Sequence, residues 1–100
     1  MKSYLSEDAA LIRSCVPESA SVPEGTESLF LIYAVLMRSK GERVDASDVH
    51  DAWSAWMQIE GKRHISLISF EQLDVDTQLE DLPYVEAIRR AAQIKQASST

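Results

Sequence analysis

A single cysteine, Cys15, stands among the 100 residues, so the chain carries no internal disulfide and no Cys-rich zinc site. A lone thiol points to a reducing compartment, and the cytoplasm is the expected location. Glycine and proline are scarce, three of each, which disfavours a turn-rich all-β fold and favours helices. The glycines stand apart at Gly25, Gly41 and Gly61, so no Gly-rich loop exists to cradle a phosphate. Bases are outnumbered by acids, 10 against 16, for a net charge of −6. Without a basic face nothing displaces phosphate counterions, and neither nucleic acid nor an anionic membrane surface is an expected partner. The longest apolar run covers residues 29–37, less than half of the roughly 20 residues that a membrane span needs. The first ten residues hold one lysine, two acids and no apolar run of signal-peptide length, so no export signal is expected.

What remains is ordinary for a folded soluble chain: 45% hydrophobic and 26% charged residues, too apolar for disorder along the whole length. One hundred residues make one domain, expected to cover 1–100, and bury about two thirds of the unfolded surface. That suffices for one core, but not for a core plus a deep enclosed active site.

The periodicity predicts four to five helices. The first covers about Tyr4 to Cys15, capped by Ser3 or Ser6, with Leu5, Ala9 and Ile12 on one face and Pro17 as its stop. The second lies between Thr26, a natural N-cap, and Gly41, a natural residue just past a helix end. Its interior, Leu29 to Met37, is apolar all round, which makes it the central element of the core. The third begins near Ala46, capped by Asp45 or Ser47, and ends at Gly61, with Val49, Trp53, Trp56 and Ile59 as its stripe. Residues 62–69 form a linker in which the alternation of Ile65 to Ser69 allows one short extended segment. A turn follows at Phe70 to Leu73, then a short piece from Val75 to Glu80 capped by Asp74 or Asp76. A last helix starts at Leu82 with Asp81 as cap, because Pro83 is tolerated only in a first turn. Residues 96–100 read as a frayed polar tail. The expected fold is therefore an all-α single compact domain of four to five helices around a central apolar helix.

The catalytic inventory is thin. His50 and His64 lack the ligand spacing of a metal site, and Asp48 and Asp51 project elsewhere around the helix from His50. In the first turn of the third helix, His50 is expected to bond locally. Cys15 closes a helix with no His beside it, where the dipole disfavours a thiolate. Six acids lie between Ile65 and Ala87 without a Lys or Arg, and they read as a solvated face. No enzyme activity, cofactor or metal is expected. Lys62, Arg63 and His64 form the one basic cluster before the last helix. It reads either as an anion-holding loop or as a cap complementing the dipole of the third helix. Trp53 and Trp56, three apart, are neighbours on that helix. Trp53 is expected in the core, leaving Trp56 the better-placed ring for a cleft beside residues 62–64.

The stretch Val49-His50-Asp51-Ala52-Trp53-Ser54-Ala55-Trp56-Met57, then His64, then Leu67-Ile68-Ser69-Phe70-Glu71-Gln72-Leu73, with Glu80-Asp81 beyond it, resembles the RyR domain. That repeat was first described in ryanodine receptors and also occurs in bacterial and phage proteins. The likeness covers about residues 49–92 and departs from the RyR pattern after Gly61, where no aromatic occurs until Phe70. The whole chain also resembles a family of small proteins of actinobacteria and their phages. The carriers of that likeness are Asp-Ala-Ala-Leu-Ile-Arg at 8–13, Leu-Phe-Leu-Ile-Tyr-Ala-Val-Leu at 29–36 and Val-His-Asp-Ala-Trp at 49–53.

Two functions follow as expectations. The first is a non-enzymatic accessory protein of an actinobacterium or its phage. It would act on a host or self protein through an acidic surface and surplus apolar helix face, with homodimerisation as a related outcome. The alternative, implied by the RyR resemblance, is a module binding an adenine-nucleotide-like molecule. In it Trp56 stacks on the base, Lys62 and Arg63 hold phosphate, His50 or His64 donates a hydrogen bond, and Phe70 closes the pocket.

Overall fold

In the computed structural model, which describes residues 2–98, every regular element is helical. The order is α1 (Tyr4–Cys15), α2 (Glu27–Lys40), a 3₁₀ turn (Gly41–Arg43), α3 (Ala46–Ile59), a second 3₁₀ turn (Phe70–Gln72), α4 (Val75–Leu79) and α5 (Leu82–Ser98). The all-α expectation holds, and among the described residues there is no strand. Residues 65–69 turn rather than extend, with the Leu67 N–H bonded to the His64 carbonyl at 3.1 Å. An isolated extended segment has no neighbour to complete its ladder.

Local chemistry sets most boundaries. Ser3 accepts from the Ser6 N–H at the head of α1. Asp45 and Asp48 form a reciprocal capping box at the head of α3. Thr26 heads α2 by position, but its hydroxyl donates to the Pro23 carbonyl at 2.8 Å and makes no capping bond. The end of α3 is a Schellman turn: Lys62 N–H reaches the Met57 carbonyl at 2.8 Å and Gly61 N–H the Gln58 carbonyl at 3.1 Å. Gly61 takes φ +68° there, a conformation that costs any residue with a Cβ. Helix α5 continues through Ser98, so residues 96–98 of the expected frayed tail are helical, while residues 99 and 100 lie outside the described residues.

Helix α2 is central, touching α1, α3 and α5. It is not buried all round: Leu29, Phe30, Tyr33, Ala34 and Met37 are inside, while Leu31 and Val35 are 38% and 50% exposed. Three neighbours cover only part of a cylinder, and in so short a chain no fourth element reaches the remaining side. Ile12, Val44, Val49, Ala87 and Ile88 complete a core with no accessible surface at those positions. Asp8 is buried and ties three helices together. It accepts from Arg38 Nε of α2 at 2.6 Å and from Lys95 Nζ of α5 at 2.9 Å. Burial raises its pKa, but the hydrogen bonds from Lys95 and Arg38 outweigh that and hold the carboxyl below its ordinary value.

Candidate functional site

The buried face of α3 differs from the predicted stripe by one residue's rotation. Val49, His50, Ala52, Trp56 and Met57 point inward, Trp53 is half-buried and Ile59 is 73% exposed. The two tryptophans therefore exchange their expected places. Trp56 is 5% exposed and donates its indole N–H to Ser28 Oγ at 2.7 Å, which anchors α3 on α2. Trp53 turns toward a side cavity and is flanked by two imidazoles. The His50 ring stacks on it at 5.6 Å and 29°, and the His64 ring meets it edge-on at 5.3 Å and 87°.

His50 is 4% exposed. Its short bond is not local: Nε2 donates to the Ile68 carbonyl, 2.7 Å away and 18 residues on, while a local partner, Ser54 Oγ, lies at 3.5 Å. The bond to Ile68 pulls the 62–69 loop over the end of α3. Nε2 therefore carries a proton, and no hydrogen bond is made at Nδ1 among the described residues. His64 is oriented by the Ser66 N–H, which donates to its Nδ1 at 3.0 Å.

These groups line a half-open cavity of about 550 Å³, inside the range of small-molecule pockets. Glu24 and Thr26 border it from the loop before α2, and Phe30 and Tyr33 from α2. His50, Trp53 and Trp56 come from α3, and Lys62, His64 and Ser66 from the loop after it. The far wall is Thr77 of α4, Glu80 and Asp81 at the α4–α5 junction, and Tyr84 of α5. One end is an aromatic cluster in which Phe30 meets Tyr33 edge-on at 5.3 Å and Tyr33 lies 5.8 Å from Tyr84.

Asp81 is the unusual group. By position it heads α5, its carbonyl accepting from Tyr84 and Val85 N–H at 3.1 Å each. Its carboxylate makes no capping bond among the described residues, and the residue lines the cavity. The other five acids of residues 65–87 are exposed as expected. Burial pushes the Asp81 carboxyl up to about 6, with His50 pulling it down and Glu80 pushing it up. Tyr33 and Tyr84 are both raised, first by burial; the nearby Asp81 charge adds to each, and the two phenols oppose each other's ionisation at Tyr33.

Of the residues expected to bind a ligand, His50, Trp56, Lys62 and His64 meet at this cavity, whereas Arg63 and Phe70 do not line it. Arg63 projects into solvent. Phe70 sits with its ring 6.2 Å from the His50 ring, supporting that imidazole rather than closing the pocket. The Schellman turn folds Lys62 back, so its ammonium sits over the Trp56 ring at 4.8 Å. Sequence reasoning missed Tyr33, Tyr84, Trp53 and Asp81. A signal existed for one pair: Asp81 and Tyr84 are three apart at a helix start, so they share a face.

No three His, Cys, Asp or Glu side chains among the described residues gather closely enough to hold a metal ion. No helix among them is long and apolar enough to cross a membrane. No curated protein and no solved structure matches the chain. A family match covers nearly its whole length, residues 3–93, and the chain belongs to that family, the DUF7701 domain of unknown function.

Proposed function

We propose that this domain is a non-enzymatic module that captures a small aromatic molecule in the cavity between α2, α3 and the α4–α5 junction. The observation that carries this reading is the convergence of half-buried Trp53, the Tyr33–Tyr84 cluster and the unpaired Asp81 carboxylate on one 550 Å³ space. Aromatic walls with a few convergent polar groups are the usual make-up of a ligand site. The RyR resemblance, with its implied nucleotide-like ligand, supports the same class of function. The residues expected to hold phosphate are divided, however: Arg63 lies outside and Lys62 is engaged with Trp56. The base-binding half of that expectation therefore fits the cavity better than the phosphate half.

A thermal-shift screen of aromatic compounds, including nucleosides and nucleotides, tests the reading. A true ligand at 100-fold excess over its Kd raises stability by about 2.7 kcal/mol, and Thr77→Trp, which fills the cavity, abolishes the shift. A panel in which nothing stabilises the wild-type protein overturns it.

A second reading rests on a separate observation. Leu31 and Val35, one turn apart on α2, are both exposed, so this face is available for self-association or a protein partner. Light scattering of the wild type and Leu31→Glu tests the self-association form. A dimer lost in the variant supports it, and a monomer in both refutes it.

A further inference from the structure

The polar groups that reach the cavity are unbalanced in charge and in hydrogen-bonding character. Three carboxylates, Glu24, Glu80 and Asp81, border it against one ammonium, Lys62. Lys62 does not pair with any of them: no salt bridge joins it to an acid among the described residues, and its ammonium rests on the Trp56 ring. Asp81 has no hydrogen-bond donor and no salt bridge at its carboxylate among the described residues. Asp81 is therefore a carboxylate without a donor among the described residues, in a cavity lining that it shares with Trp53 and Tyr84.

We infer that the ligand of this pocket is a cation, an aromatic amine or a similarly protonated nitrogen compound, whose N–H groups bond the Asp81 carboxylate while its ring lies along Trp53. This rests on the small-molecule reading above and specifies the chemical class. A half-buried carboxylate facing donors from a bound ammonium makes a charge-assisted hydrogen bond. The half-buried Tyr84 ring, on the same wall as Asp81, attracts the same charge. Glu80 and Glu24 extend the negative potential to the mouth, where they favour approach of a cation. An anionic ligand meets the opposite on every count. It would face three carboxylates, with Lys62 as the one lysine or arginine on the lining. Lys62 shows the same pairing within the protein, an ammonium over a tryptophan ring of this cavity.

Isothermal titration of three compounds that share a ring and differ in charge decides the matter: naphthylmethylamine, naphthylmethanol and naphthoate. The amine is expected to bind about tenfold or more tighter than the alcohol, with naphthoate weakest, as a charge-assisted bond replaces a neutral one. Asp81→Asn lowers amine affinity to that of the alcohol and leaves the alcohol unchanged. Glu86→Gln, at an exposed acid outside the cavity, changes none of the three. Naphthoate binding as tightly as the amine, or amine binding that survives Asp81→Asn undiminished, overturns the cation assignment while leaving a small-molecule pocket in place. If none of the three binds, both the cation assignment and the aromatic-ligand reading fall.

Discussion

Replacing Asp81 by asparagine should make the ligand-free protein more stable. The carboxyl is pushed up to about 6, chiefly by burial, against about 3.9 in an unfolded chain. In the window between those values the folded state binds the proton more tightly. Stability therefore falls as pH rises from about 4 to about 6, and the whole penalty is present above it. Taken at face value, two pH units at about 1.36 kcal/mol each set a ceiling near 3 kcal/mol. The carboxylate opens onto the cavity and is partly screened by solvent, so about 1 kcal/mol is the expected gain for the neutral amide. For a domain of this size that is a rise in melting temperature of roughly 5 °C. The titratable groups facing Asp81 are His50 from α3, Glu80 beside it, and the neutral phenols of Tyr33 and Tyr84. Glu24, Lys62 and His64 lie further around the cavity. They are common to both proteins, so the difference between two melting curves isolates Asp81. Helix signal by circular dichroism, followed from about pH 4 to about pH 8, gives that difference. It should be near zero at the acid end and reach its full value above the midpoint. A variant no more stable than wild type at neutral pH, or a difference independent of pH, refutes the reasoning. A gain in stability combined with lost amine binding would mark Asp81 as a residue kept for function at a cost to folding.

Asp8→Asn acts in the opposite direction. It removes the charge that Arg38 and Lys95 share; because both cations are partly exposed and regain water, the cost is about 2 kcal/mol, read by urea denaturation, and a loss below about 0.5 kcal/mol refutes it. The same carboxyl lies below its ordinary value, so its contribution is present above about pH 4 and lost as pH falls through the folded pKa. Gly61→Ala meets no neighbour within 4 Å but must hold φ +68°; it should lose about 1 kcal/mol in a melt, from backbone strain alone. Ile88→Ala empties a site with no accessible surface and should cost about 2–5 kcal/mol in chemical denaturation.

Helix positions were legible in the sequence because their signals are local. The Ser3 and Asp45 caps, the stop at Pro17, and Gly41 and Gly61 past two helix ends all act within a few residues. The break before Leu82 follows from proline's missing N–H. The membership of the site was only partly legible. His50, Trp56, Lys62 and His64 stand out by residue type, and they do meet at the cavity. Which tryptophan turns outward was decided by tertiary packing: Ser28, 28 residues before Trp56, captures that indole and rotates α3 so that Trp53 faces the open side. The long reach of His50 to Ile68 was equally invisible, since it depends on where the loop after α3 folds back. Asp81 shows the division most clearly. Its place at a helix start is written in the sequence as Asp-Leu-Pro-Tyr, but its raised pKa comes from being half-buried at a cavity wall beside Tyr33, His50 and Tyr84. Capping is a matter of neighbours in the chain; desolvation and the sharing of one space by α2, α3 and α5 are matters of neighbours in the fold.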